Sequence, residues 1–206
     1  MKRAVLAALS ICVLATCGSS GSRRENVGEI GVFGPVCGSS TIMGVAQEPI
    51  TSSTSRLCGI SQPVRVAEVS GIKLAQQPLL NCTAARALNR WVSKSAKPAV
   101  ADIDEKLVSL RVVAHYACRP RNSQRGARIS EHGKGNAIDI AGFGLASGGE
   151  LSVLRDWSRG DEGRALSQMR RGACGPFGVV LGPGSDRFHR DHFHFDVSNL
   201  GRPYCR

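Results

Sequence analysis

The chain has 206 residues, with 27 Lys and Arg against 16 Asp and Glu, a formal net charge of +11 and 42% hydrophobic residues. That length suits one domain with a real hydrophobic core. The basic balance either suits an anionic partner such as cell-wall polymer, lipopolysaccharide or a phospholipid surface, or serves as solubilising surface charge. Nucleic acid is excluded as a partner, because no binding motif accompanies the charge.

Met1, Lys2 and Arg3 form a short basic start, and Ala4 to Ala15 is a nearly continuous apolar run. The run is too short for a bilayer-spanning helix and has the length of a signal-peptide core, so export is expected, with residues 1–17 as the signal-peptide region. Leu14-Ala15-Thr16-Cys17 resembles a lipobox, with Thr16 as the departure. Two outcomes stay open: a lipid on Cys17 anchoring the chain to a membrane, or ordinary cleavage nearby. No later segment approaches the roughly 20 apolar residues of a transmembrane helix. A periplasmic or outer-envelope location follows, with the protein expected to be a monomer.

Of the eight cysteines, Cys12 and Cys17 belong to the signal region, leaving Cys37, Cys58, Cys82, Cys118, Cys174 and Cys205. An even number in an exported chain predicts disulfides, and no C-x-x-C pair suggests a cysteine zinc cluster instead. Gly18 to Ser61 is rich in Gly, Ser, Thr and Pro with little periodicity. It reads as a linker (18–56) running into loops pinned by Cys37 and Cys58, with the folded domain taken as 57–206.

Pro63 to Val69 alternates like a half-buried strand. Asn81 to Ser93 places Ala84, Leu88, Trp91 and Val92 at helical spacing, with Asn81 or Thr83 as cap. Ile103 to Leu110 reads as a short helix and Leu110 to Ala117 as a strand ending at Cys118-Arg119-Pro120. Asn136 to Ile140 reads as a strand, Gly142 to Gly149 as a turn region, and Glu150 to Arg170 as helix. Gly178 to Leu181 and His192 to Val197 are expected closing strands. The predicted class is α+β, a small antiparallel sheet flanked by helices and stapled by disulfides.

Only five histidines are present, and four fall in two short segments: Ser130-Glu131-His132-Gly133-Lys134-Gly135-Asn136-Ala137-Ile138-Asp139 and His189-Arg190-Asp191-His192-Phe193-His194-Phe195-Asp196. On a strand His192, His194 and Asp196 share one face, and Phe193, Phe195 and Val197 the other. Gly133 and Gly135 allow a tight path returning Asp139 toward His132. His132, Asp139 and one histidine of the H-x-H strand then make three protein ligands, leaving the fourth position that a catalytic zinc needs. Strict alternation would turn Asp191 away from His192 and His194, unless the strand starts at or after His192. Asp196 reads as a partner behind a ligand, Glu131 as surface or support, and His115 as a satisfied core histidine. Trp91 and Trp157 read as core.

Ser130-x-His132-x-x-Gly135-x-Ala137-x-Asp139 followed by His192-x-His194 resembles the signature of the D-alanyl-D-alanine peptidase superfamily, which includes lysostaphin-type endopeptidases and the hedgehog domain. From Leu57 onward the chain is closer still to the bacterial extensin-like protein C-terminal family, through NCTAARALNRWV, HYACR, ARISEHGKGNAIDIAGF, ACGPFG, VLGPGSDRFHRDHFHFDVS and YCR. The resemblance implies zinc on His132, Asp139 and His194. It implies Asp191 as the base, His192 beside the metal, Arg119 steadying substrate or oxyanion, and His189 as an added histidine. It also implies the pairs Cys37–Cys58, Cys82–Cys118 and Cys174–Cys205. The expected function is a zinc metallopeptidase hydrolysing peptide bonds of peptidoglycan. The alternative is a zinc-bearing envelope binding module without hydrolysis.

Overall fold

The computed structural model describes residues 27–199 and 201–206; the expected signal segment, with Cys12 and Cys17, lies outside the described residues. In chain order the elements are β1 (Phe33–Val36), β2 (Ser39–Ala46), β3 (Ile50–Thr51), β4 (Gly59–Ile60), β5 (Pro63–Val69), β6 (Ile72–Leu74) and β7 (Leu79–Asn81). Then come α1 (Cys82–Trp91), a π-helical turn (Val92–Ala96), α2 (Lys97–Ala101), β8 (Leu107–Ala114) and β9 (Ala137–Leu145). The chain closes with β10 (Glu150–Ser152), α3 (Val153–Asp156), α4 (Gly160–Ala173), β11 (Val179–Leu181), β12 (Phe193–Asp196) and β13 (Tyr204–Cys205).

Among the described residues eleven strands join one mixed sheet, ordered β1-β2-β5-β6-β8-β9-β12-β11-β13, with β10 on β9 and β7 on β5. Most pairs are antiparallel, while β6–β8 and β11–β13 run parallel. The expectation of a small antiparallel sheet flanked by helices is therefore wrong. Three misread segments account for the difference.

The first is the supposed linker, which supplies β1, β2 and β3, so the domain starts well before residue 57. Its Ser and Thr hid an alternation in which Ile42, Gly44 and Ala46 turn inward on β2. Gly44 sits where the β2–β5 register shifts. A Cβ there would lie 2.3 Å from the Arg65 carbonyl oxygen, so glycine marks a strand irregularity and not a linker.

The second is Ile103 to Leu110, expected as a helix. A turn covers 102–104, and β8 begins at Leu107, paired with β6 on one side and β9 on the other. Ladder partners on both edges outweigh a local amphipathic pattern. The third is the glycine-punctuated stretch after Gly142, which continues β9 through Leu145. A Cβ on Gly142 would meet the Glu150 and Arg111 side chains at 2.6–2.9 Å, and one on Gly144 would lie 2.2 Å from Ser109 Oγ. These glycines admit side chains of neighbouring strands. Glu150–Ser152 likewise pairs with β9 before the expected helix begins.

The expected strand over Pro63–Val69 and the helix after Asn81 are present. Asn81 is the cap that decides where α1 starts, its side chain accepting from the Ala84 N–H at 2.9 Å. The buried face of α1 includes Ala84, Ala85, Leu88 and Trp91. The Trp91 ring packs 5.0 Å from Phe195 and 6.2 Å from Phe143, and its indole N–H donates to the Met169 carbonyl at 2.8 Å. That hydrogen bond brings α4 onto the same core. Removing a ring of this size from a packed core typically costs about 3–5 kcal/mol. Trp157 packs beside the core edge-on to Phe193, as expected.

Because Phe193 faces Ile140 and Phe195 faces Ile138 across the β12–β9 ladder, these four residues share the face that the helices close. Asp139, His194 and Asp196 occupy the opposite face. The apolar half of the strand anchors the polar half.

Three disulfides form among the described residues: Cys37–Cys82, Cys58–Cys118 and Cys174–Cys205. The last is as expected, while the pairs Cys37–Cys58 and Cys82–Cys118 are corrected. Recruitment of β1 and β2 into the sheet carries Cys37 to the first residue of α1, with Cα atoms 5.2 Å apart. Cys58, beside β4, instead meets the loop after β8. Non-reducing peptide mapping is expected to recover Cys37 linked to Cys82 and Cys58 linked to Cys118. A peptide joining Cys37 to Cys58 would overturn this topology.

Candidate metal centre

His132 sits in a tight turn, Glu131–Lys134, capped by Ser130, whose hydroxyl accepts from the His132 N–H at 3.4 Å. Gly135 ends the turn at φ 66°, and a Cβ there would lie 2.3 Å from Ile60 Cδ1. Both backbone conformation and space therefore demand glycine. Gly133 also passes close, a Cβ reaching 3.0 Å from Cys58 Sγ. The Cys58–Cys118 disulfide thus packs directly under the turn that carries His132.

Glu131, read from sequence as surface or support, is buried. It takes hydrogen bonds from Lys134 Nζ at 2.7 Å and Asn136 Nδ2 at 2.6 Å. Asn81 Nδ2 in turn donates to Asn136 Oδ1, linking the α1 cap to this turn. Glu131 therefore braces the loop and points no free carboxylate at the histidines.

β9 delivers Asp139 and β12 delivers His194 as direct partners across the ladder. His132, Asp139 and His194 each offer one donor atom, all within 4.8 Å of one another, and all three residues are buried. His132 Nε2 lies 3.2 Å from Asp139 Oδ2, and His194 Nδ1 lies 2.8 Å from Asp139 Oδ1. The outward ring atoms are held as well. His132 Nδ1 donates to the His115 carbonyl oxygen at 2.8 Å, and His194 Nε2 pairs with Asp196 Oδ2 at 3.1 Å.

Fixing the far nitrogen of each imidazole with a carbonyl or carboxylate is how metal ligands are oriented. One carboxylate and two imidazoles, with a second carboxylate behind, also match the preference of zinc for nitrogen and oxygen donors. The residues present therefore fit a zinc ion. Asp196, expected behind a ligand, is there, and Ser198 ties down its other oxygen through both N–H and hydroxyl.

The electrostatics agree with a cation site. Burial opposes ionisation of Asp139, but hydrogen bonds from His132 and His194 outweigh it and hold the carboxyl well below the usual range. Burial likewise opposes protonation of His194, yet Asp139 and Asp196 push it up to about 9. Two carboxylates around this imidazole demand positive charge between them.

β12 begins at Phe193, so Asp191 and His192 stand on irregular backbone and strand parity does not govern them. The Asp191 carboxylate accepts from His192 Nδ1 at 2.8 Å and is 62% exposed. His192 Nε2 lies 3.6 Å from Asp139 Oδ2. His189 Nδ1 pairs with Asp186 Oδ1 at 2.8 Å, and its ring lies 5.3 Å from His192 and 5.5 Å from His194. Burial is the main force lowering the His189 pKa, partly offset by Asp186. Asp186 was not singled out from the sequence; its spacing three residues before a histidine, within a Pro-Gly turn, was the available signal.

Around this floor opens a cleft of about 860 Å3 that includes Arg119, His189, His192, Phe188 and Tyr204 in its walls. His115 contributes its carbonyl and not its ring. Its Nδ1 has no hydrogen-bond partner among the described residues, so it is not the satisfied core histidine expected.

A family model, extensin-like protein C-terminus, matches residues 37–206. The chain belongs to that family. The matched span contains the whole sheet from Cys37 onward, all three disulfides and every residue of the cleft floor. The extensin-like domain thus also begins before residue 57, in agreement with the position of β2. No curated protein and no solved structure matches the chain.

Proposed function

We propose that this extensin-like domain is a zinc-dependent peptidase of the bacterial envelope, related to the D-alanyl-D-alanine peptidase superfamily, acting on peptide bonds of peptidoglycan. The observation that carries the reading is the buried His132–Asp139–His194 group, whose outward ring atoms are each held and whose inner face opens on a cleft. Three disulfides favour an oxidising compartment, in line with an exported chain. The superfamily assignment rests on the S-x-H-x-x-G-x-A-x-D and H-x-H blocks; the peptidoglycan substrate rests on that resemblance and on export.

His132, Asp139 and His194 would hold the ion, which when bound supplies Lewis acidity, polarising a carbonyl and making water acidic near pH 7. The rest falls to side chains of the cleft. His192 Nε2 faces the ligand cluster while Asp191 fixes its Nδ1, so His192 takes the proton and Asp191 orients it. His192 then gives that proton to the leaving amine, with His189, held by Asp186, standing beside it. Arg119 in the cleft wall offers its guanidinium to the oxygen on which negative charge develops. Val179, Leu181 and Phe188 line the same cleft and help limit water around the reacting bond.

Purified, zinc-replete protein is expected to release peptides from muropeptides, and a chelator to stop it, with restoration by added zinc. Absence of cleavage by zinc-replete protein across cross-linked and uncross-linked muropeptides would replace this reading with a metal-bearing binding module.

A further inference from the structure

The loop joining β8 to the His132 turn folds back on itself as a small two-stranded arm. Pro120 and Ile129 bridge, Arg121 N–H donates to the Arg128 carbonyl at 2.9 Å, and Ser130 N–H donates to the Arg119 carbonyl at 3.0 Å. In this register Arg121 stands directly opposite Arg128, and Arg119 opposite Ser130. All four line the cleft. Ile129 turns the other way, toward Gly133.

Like charges directly opposed across a ladder are destabilising. Here they are also uncompensated: among the described residues no carboxylate pairs with Arg119, Arg121 or Arg128. The acidic groups of the cleft are already engaged. Glu131 is taken by Lys134 and Asn136, Asp186 by His189, Asp139 by both ligand histidines, and Asp196 by His194 and Ser198. The lining also includes Val179, Leu181, Phe188 and Tyr204, with the Arg187 guanidinium 4.5 Å over the Phe188 ring and that of Arg206 5.3 Å over the Tyr204 ring. The cleft therefore adds arginines without a carboxylate partner to the metal donors at its floor.

We propose that Arg121 and Arg128 form a carboxylate-recognition pair, so that the cleft selects peptides bearing a free carboxylate near the reacting bond. The planar guanidinium fork matches a carboxylate bidentately, which makes arginine the suited residue for this task. This inference rests on the peptidase reading for the identity of the peptide. The carboxylate has two sources, the chain terminus or an acidic side chain.

The test is calorimetric titration of the zinc-loaded full chain with a synthetic peptidoglycan stem peptide in three forms: free acid, C-terminal amide, and side-chain carboxylates amidated. Titrations use a His192→Asn background to prevent turnover, and cleavage is measured separately on wild type. At least one amidated form is expected to bind about tenfold or more weakly than the free acid, and which one identifies the source. The Arg121→Gln/Arg128→Gln pair, both exposed positions, is expected to bind all three forms with the weaker affinity while keeping its zinc. Equal affinity for the three forms, no binding of any form, or a preference that survives the double substitution would each overturn the proposal. Carboxylate preference without cleavage by wild type would sustain the arginine pair and remove the hydrolytic reading. Cleavage without preference would do the reverse.

Discussion

Substituting His194 with alanine is expected to strip the protein of stoichiometric zinc. The side chain supplies Nδ1 to the ligand group and spends Nε2 on Asp196, so its loss removes a donor and leaves Asp139 and Asp196 buried with their shared partner gone. Uncompensated buried charge of this kind costs about 3–5 kcal/mol, so a fall in thermal stability should accompany the loss. His132→Ala removes the other imidazole and should also abolish binding. Asp196→Asn keeps the ligand set but weakens its support, for which affinity losses of about 10–100-fold are typical. Elemental analysis of protein purified without chelator should find about one zinc per wild-type chain, against a small residue in both histidine variants. Competition titration with a chromophoric chelator should place Asp196→Asn between them. Retention of a full complement in both alanine variants would show that the ion, if any, is held elsewhere.

The second large effect separates His192 from Asp191. Sequence resemblance places the base at Asp191, three residues before His194. The structure has Asp191 more than half exposed and hydrogen-bonded to His192 Nδ1, while His192 Nε2 faces Asp139. An imidazole between an exposed carboxylate and the ligand cluster is better placed to take a proton than the carboxylate behind it. His192→Asn is therefore expected to lower muropeptide hydrolysis by about 10²–10⁴-fold with zinc content unchanged. Asp191→Ala removes only the orienting contact, which solvent partly replaces at an exposed site, and should cost roughly tenfold. The reverse order, with Asp191→Ala severe and His192→Asn mild, would return the base to Asp191. Comparable severe losses in both would mean that the two side chains act as one unit, as coupled catalytic groups often do.

Much of the floor of the site was legible in the chain because its spacing is local. His194 and Asp196 alternating with Phe193 and Phe195 require a strand with one apolar face and one chemical face, and β12 has both. Gly133 and Gly135 announced the tight return from His132 to Asp139, and their contacts with Cys58 and Ile60 explain why nothing larger fits. The Asn81 cap and the helical spacing up to Trp91 were equally local.

What depended on distant partners was not legible. The segment 39–46 sits inside a Gly-, Ser- and Thr-rich stretch that reads as linker, and it is β2 because β5 lies beside it and Cys82 binds Cys37. Disulfide partners are chosen by which strands meet, so the partners that the resemblance implied for Cys37 and Cys58 did not hold. Leu107–Leu110 had a pattern open to helix or strand, and the two edges of β6 and β9 decided it. Asp191 is the clearest case. Residue types and spacing brought a carboxylate and two histidines to one place, but which of them faces the ligand cluster is set by where β12 starts. That start is set by the ladder with β9, a pairing across more than fifty residues of chain that no local rule encodes.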